Sequence, residues 1–354
     1  GWKVLYSSYQ TIPYLSNEIH NGYLEVLLNT GWLGMLLFVF AFLFLFGQII
    51  YRIWRERSNG VQPLLVASLS ALFMIFIHAC IDFDFSYGTV WFIVMWLFAM
   101  SVPYEPAILG LDKLKFIHVM PKKHLLIVNQ TVKVLLALGI FVGGLYSYRF
   151  YAASEEVKVT QQTNSITVDE GLRAFEGATS YNPYNPDYWI GLAQVVLARY
   201  NSTQSESDRA EIIEYLGKAE ELEGNYSSTL YKIASIYSGM QDWNEATTYM
   251  AAAIEKDPFN VVWYDVMLRY KIQWVEYEDN NGNDEKANEI LASIVQDYET
   301  YQSWYTHWKD QQVTDRRVLN VAKQTHYIAA DSYRLLGQYQ QALSVWKSQK
   351  AVID

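Results

Sequence analysis

Residues 230–258 read LYKIASIYSGMQDWNEATTYMAAAIEKDP, and their spacing decides the architecture of the C-terminal part of the chain. Leu230, Ile233, Ala234 and Tyr237 stand at i, i+3, i+4 and i+7, one face of a helix. A turn around Gly239–Asp242 follows, and Ala246, Met250 and Ala253 then mark a second helix. Pro258 ends it, because proline lacks an N–H and its ring clashes with the preceding turn. The small residues Ala234, Ala246 and Ala253 let two antiparallel helices approach closely, and the large residues fill the space between them.

These residues match all eight signature positions of the 34-residue tetratricopeptide repeat, which the segment resembles. Similar patterns flank it. Gly171, Phe175, Ala178 and Pro183 read as the second helix of an earlier repeat. Trp189, Leu192, Ala193 and Val196 begin the next, which Ile212, Leu216 and Ala219 complete after a polar insertion at 201–208. Trp263, Val266, Met267 and Tyr270 open a longer helix, and Ala287, Leu291 and Ile294 continue beyond an NNGND loop at 280–284. His326, Ala329, Ala330, Tyr333 and Gly337 precede Ala342 and Trp346, with His326 expected to serve packing. Tyr301–Asn320 fits no repeat and is expected to hold an extra helix. About four or five units result, more than the three a stable stack needs. Residues 151–354 are therefore expected to form an α-solenoid with a concave groove for a protein partner. The many Tyr and Trp residues either fill this stack or line a groove for glycan or peptide; both readings fit the pattern.

Upstream the composition changes. Residues 1–153 carry 10 Lys/Arg and 7 Asp/Glu, whereas residues 154–354 carry 17 and 30, within a 354-residue chain of net charge −10. A sequence pI near 5.2 argues against nucleic acid as the main partner. One cysteine excludes a disulfide framework and a cysteine-based zinc site within the chain.

The run Trp32–Ile53, WLGMLLFVFAFLFLFGQIIYRI, holds a single charge, Arg52, near its end. It is long enough for the roughly 30 Å hydrocarbon core of a bilayer. Further apolar runs at about 63–81, 86–102 and 125–148 complete an expected set of four transmembrane helices within 32–150. Arg52, Arg55 and Arg57 lie between the first two runs, and Lys113, Lys115, Lys122 and Lys123 between the last two. The positive-inside rule makes both loops cytoplasmic, with Lys133 snorkelling to the same side. His118 and His124 then belong to a solvated basic loop. Residues 1–31, the DFDFSYG loop and everything after the fourth run fall on the extracytoplasmic side. The fold class expected is all-α: polytopic transmembrane helices followed by an extracytoplasmic repeat solenoid.

No nucleotide-binding glycine loop and no HExxH occurs. Two extracytoplasmic segments remain as sites of chemistry. The first is Asn17–Glu25, NEIHNGYLE, followed by Gly31 and Gly34. Read as a helix, it puts His20 and Leu24 at i and i+4 with Asn21 and Glu25 beside them: an imidazole, an amide and a carboxylate on one broad face. A neutral His there can take a proton from a hydroxyl near pH 7, and a carboxylate can stabilise the charged ring. The second is His78-Ala-Cys-Ile-Asp82-Phe-Asp84, where ionisable groups meet an apolar run. A solvated interfacial helix, and aspartates that mark the water boundary, also account for these residues.

The stretch His20-Asn21-Gly22-Tyr23-Leu24-Glu25 with Gly31 and Gly34, and then His78, Asp82 and Asp84, resembles the O-antigen ligase and polysaccharide polymerase superfamily in its C-terminal portion. The approach through Trp2, Lys3, Tyr9, Gln10, Pro13 and Tyr14 is similar to that family's outer loop. The resemblance covers residues 1 to about 150. It implies a metal-independent membrane glycosyltransferase without cofactor, moving a glycan from a polyprenyl diphosphate donor to a glycan, lipid or protein acceptor on the outer face of a bacterial cytoplasmic membrane. It implies that His20 accepts a proton with Asn21 and Glu25 in support, and that Tyr23, His78, Asp82 and Asp84 bind substrate. The family has about ten or more membrane helices and diphosphate-binding arginines upstream of this motif. Here only Lys3 precedes His20, and Arg149 lies at the far edge. A diphosphate leaving group needs cationic stabilisation. The chain is therefore expected to be the C-terminal part of a longer enzyme and inactive alone. The alternative is a non-enzymatic, membrane-anchored repeat scaffold for cell-envelope assembly.

Overall fold

The computed structural model describes residues 1–16, 18–55, 60–101, 122–162, 166–319 and 322–350. Every regular element among them is helical. The chain divides into two compact units. One holds residues 1–3 and 16–143, and the other holds 4–15 and 144–354. Residues 4–15, expected with the outer loop, thus pack with the repeats.

α1 (Trp2–Leu5) passes through the division between Lys3 and Val4, and in the first unit α2 spans Gly22–Arg55. The expected membrane run started at Trp32; the helix starts ten residues earlier and is interrupted at Gly31, where φ is 69° and ψ −177°. That left-handed conformation suits glycine and strains other residues. α3 (Gln62–His78) starts with Pro63 in its first turn, where a missing N–H costs nothing. A 3-10 turn at Asp84–Ser86 leads into α4 (Gly88–Ser101).

The core of this unit is aromatic. Phe42, Phe76, Phe85 and Phe98 are buried and pack with Phe38, Phe46 and Trp91. Their centroids approach to 4.8 Å for Phe38–Phe42 and 4.9 Å for Phe42–Phe76, within the range where ring edges meet ring faces.

Gly22–Trp54 is the one helix among the described residues long and apolar enough to cross a membrane. α3 is apolar but has 17 residues, and α4 is apolar over its 14 described residues, with 102–121 outside the described set. At about 1.5 Å per residue α3 reaches roughly 26 Å, short of a 30 Å core. Four crossings are therefore not established. α5 (Lys122–Gln162) contains the fourth run and passes through the division between Gly143 and Gly144. Arg57, Lys113, Lys115, His118 and the side chains of Lys3, Arg55, Lys122, Lys123, His124 and Lys133 lie outside the described residues, as does Asn17.

The second unit is a stack of antiparallel helices. α6 (Val168–Tyr181) packs Ala178 against Ala153 and Val157 of α5. Thr167 and Glu170 close its N-terminus with a capping box. Four pairs follow: α7 (Pro186–Thr203) with α8 (Glu206–Glu223), α9 (Ser227–Gly239) with α10 (Trp243–Lys256), α11 (Val261–Asn280) with α12 (Asp284–Trp308), and α13 (Lys323–Leu335) with α14 (Tyr339–Lys350). Ala193, Ala234, Ala246, Ala253 and Ala329 are fully buried where helices meet. The extra helix expected from Tyr301 is instead the end of α12, followed by a loop and a 3-10 turn at Arg316–Leu319. Tyr301 stays buried in the core there, so the helix continues.

Residues 4–15 are tied into this unit. Tyr6 and Ser7 are buried, the Ser8 hydroxyl donates to the Lys256 carbonyl at 3.1 Å, and the Asp315 N–H points at the Pro13 carbonyl at 3.5 Å. Beside them Arg317 bridges two buried carboxylates, with 3.0 Å from Nη1 to Asp257 Oδ2 and 2.6 Å from Nη2 to Asp315 Oδ2. Burial opposes the Arg317 charge, but the two carboxylates outweigh it and hold its pKa above the ordinary value.

Two titrating groups in the stack set opposite pH trends. His326 accepts or donates one hydrogen bond with the Tyr298 hydroxyl at 2.8 Å, and burial lowers its pKa. Its contribution to stability is present above the ordinary histidine value and is lost as pH falls through the lowered one. Asp265 on α11 has one buried carboxylate oxygen without a partner among the described residues, and burial pushes its pKa up to about 6. The folded unit therefore holds that proton more tightly than the unfolded chain, and stability falls as pH rises from the ordinary aspartate range to about 6. Asp265→Asn should raise stability at pH 7 by roughly 1–2 kcal/mol and flatten this trend, as followed by thermal unfolding between about pH 4 and 7.

Candidate functional site

The polar residues singled out in the first unit come together at one end of its helices. Asn21 is the N-cap of α2: its Oδ1 accepts from the N–H of Tyr23 at 3.1 Å and of Leu24 at 3.0 Å. Its Nδ2 donates to the Cys80 carbonyl at 2.9 Å, joining the start of α2 to the turn after α3. Gly22 strengthens this joint, donating its N–H towards the Ala79 and Asp82 carbonyls at 2.8 and 3.0 Å. A Cβ at Gly22 would stand 2.8 Å from a Phe85 ring carbon, so glycine permits the close approach.

This geometry corrects the helix assumed for the motif. His20 precedes α2, because the cap at Asn21 holds the chain out of helical conformation, so His20 and Leu24 do not share a helix face. The carboxylate near His20 is Asp82, with Nδ1 to Oδ1 at 3.7 Å, and the ring meets Phe83 edge-on with centroids 5.1 Å apart. The His20 side chain is 75% exposed. Glu25 is instead engaged by the Ser86 hydroxyl, 2.6 Å from each carboxylate oxygen, with Glu18 Oε2 3.5 Å from the same hydroxyl. His78 Nδ1 lies 2.6 Å from Asp84 Oδ2. Asp82 Oδ1 also accepts the Phe83 N–H at 2.8 Å.

Tyr23 is half-buried and lines a cavity of about 620 Å³ with Leu43, Phe46 and Phe73. Its hydroxyl donates to the Phe76 carbonyl at 2.8 Å, and its ring packs on Phe38 and Phe85. Cys80, Ser86 and Glu18 were not anticipated; Ser86 follows the DFDF run directly, and a hydroxyl after paired carboxylates is the one local hint. The donor atoms of His78, Asp82 and Asp84 lie within 4.8 Å of one another. That spacing is compatible with a divalent cation, where the sequence reading expects none.

The set can move a proton and hold charge. An exposed imidazole beside a carboxylate can accept a hydroxyl proton, and the carboxylate then stabilises the imidazolium. Asn21 serves this from behind, by fixing the start of α2 and the 79–82 turn. Asn21→Ala should destabilise the unit by about 1–2 kcal/mol, seen as a lowered midpoint of thermal unfolding in detergent. Asn21→Asp, which keeps the cap and loses the bond to Cys80, should cost less.

Comparison with known proteins bears on the second unit. The tetratricopeptide repeat family matches residues 228–260. No curated protein matches the chain. Among solved structures, the crystal structure of MamA protein aligns over 58% of this chain and 90% of its own length, at 15% identity and a TM-score of 0.35. Residues 228–260, covering α9 and α10, are thus similar to a tetratricopeptide repeat, and the helix pairs around them continue that pattern.

Proposed function

We propose that the repeat unit is an interaction arm that binds a protein partner, carried on an apolar helical unit anchored in a membrane. The observation that supports it most is the run of antiparallel helix pairs around the repeat at 228–260, since stacked repeats of this kind present extended binding surfaces. The net negative charge of residues 154–354 favours a basic or neutral partner over an anionic polymer. The test is co-purification from membranes, comparing the whole chain with one lacking residues 166–354. A protein recovered with the first and absent from the second supports the arm; identical recoveries contradict it.

A second reading concerns the polar end of the first unit. Two motifs about 60 residues apart converge there, pairing His20 with Asp82, Asn21 with the Cys80 carbonyl and Glu25 with Ser86. Together with the motif resemblance, this favours glycan transfer from a polyprenyl diphosphate donor, with His20 as proton acceptor and Asp82 as its counter-charge. His78 and Asp84 would border the acceptor. Sidedness has a direct test in the single cysteine. Cys80 is exposed, and its backbone carbonyl accepts from Asn21 at the edge of this site. A membrane-impermeant maleimide should label it in intact cells; labelling only after permeabilisation would place the site in the cytoplasm.

A further inference from the structure

α11 has 20 residues, whereas α9, its counterpart in the preceding repeat, has 13. The extra turns of α11 run past the turn between α9 and α10 and leave a cavity of about 530 Å³. Ser238, Gln241 and Trp243 line it from the turn, and Gln273, Glu276, Tyr277 and Asn280 from α11. The volume falls within the usual range for small-molecule sites.

The turn itself holds a non-glycine residue in the left-handed region, as does the end of α7 at Gln204, with φ 52°. Gln241 has φ 61°, in the left-handed region that glycine occupies freely. Its equivalent in the α13–α14 repeat is Gly337, with φ 74°. The two turns close alike: the Asp242 N–H donates to the Tyr237 carbonyl at 2.9 Å, and the Gln338 N–H to the Tyr333 carbonyl at 2.8 Å. A glutamine therefore stands, at a conformational cost, where the same turn elsewhere uses glycine, and its side chain lines the cavity. Trp243 is 9% exposed, and its buried indole N–H has no acceptor among the described residues.

We propose that this cavity binds a neutral oligosaccharide. Three amides, from Gln241, Gln273 and Asn280, offer paired donors and acceptors that match vicinal hydroxyls. Glu276 adds an acceptor for two hydroxyl protons, and Trp243 and Tyr277 add the aromatic surface on which the C–H face of a sugar ring packs. No lysine or arginine lines the cavity, which disfavours phosphorylated or acidic ligands and a peptide C-terminus. The site depends on neither the protein-partner nor the glycan-transfer reading, and all its residues lie in the second unit.

The test is calorimetric titration of the whole chain, in a detergent without sugar headgroups, with maltotriose, cellotriose and chitotriose, followed in parallel by tryptophan fluorescence. At least one trisaccharide should bind saturably. Gln241→Gly should weaken that binding about tenfold or more while the midpoint of thermal unfolding stays level or rises, because a strained residue has been relieved. No binding of any of the three up to about 10 mM overturns the proposal. So does binding that Gln241→Gly leaves unchanged, or saturable binding confined to an unstructured peptide offered in the same assay.

Discussion

Replacing Arg317 with methionine is expected to destabilise the repeat unit by about 3–5 kcal/mol, the usual cost of breaking a buried ion pair from one side. Asp257 and Asp315 are 6% and 1% exposed at their side chains, so the variant leaves two carboxylates facing each other without a counter-charge. Burial already raises the Asp257 pKa despite Arg317, which shows how poorly solvated that position is. For a unit of about 200 residues the loss lowers the unfolding midpoint by on the order of 10 °C. The triple variant Asp257→Asn, Asp315→Asn, Arg317→Met should recover much of the difference, since it removes the buried charges with their partner. Circular dichroism melts of the three proteins decide the matter. A single variant as stable as the parent would mean that water reaches these carboxylates. Tyr6 lies close enough to feel Arg317, Asp257 and Asp315, so residues 4–15 should loosen in the single variant and become open to proteolysis.

The second large effect is on activity. Under the glycan-transfer reading, His20→Ala should lower transfer about 10²–10⁴-fold in cells whose gene copy carries it, the range for losing a general base. Stability should scarcely change, because the side chain is exposed and forms no part of the aromatic core. Asp82→Asn should cost less, since the ring would remain in place with a weaker counter-charge. Glycan transfer undiminished in His20→Ala would remove this residue from the chemistry and leave the interaction arm as the function of the chain.

The repeat unit was legible because its signal is local. Ala234, Ala246 and Ala253 recur at helix spacing, and each is fully buried where two helices meet. Gly191 illustrates the same rule: a Cβ there would stand 2.2 Å from the Phe175 ring. What escaped the sequence depends on contacts between distant residues. Nothing within residues 4–15 announces that Tyr6 packs beside Asp257 and Arg317. Continuation of α12 through Tyr301 follows from burial in the core, which no local pattern carries.

The motif residues stand out in the sequence, but a cap rather than a helix face sets their geometry. An asparagine directly before a glycine and a long apolar run is a helix N-cap, which puts the preceding histidine outside the helix. Once Asn21 is a cap, the carboxylate for His20 must come from elsewhere in the chain, and Asp82 supplies it. The membrane runs show the opposite limit. Hydropathy marks α3 as apolar, but its length of 17 residues is set by the turn at Ala79, which composition does not display.

The proposal that the stack recruits a protein is tested most directly by site-specific photo-crosslinking in cells. A benzophenone amino acid placed at Gln194, Ser235 or Arg269, exposed positions on α7, α9 and α11, samples the first helices of three successive pairs. The account predicts one discrete crosslinked protein shared by at least two of these positions and lost in Arg317→Met at a temperature between its lowered unfolding midpoint and that of the parent. Crosslinks at none of them, or the same products with the stack unfolded, would contradict it.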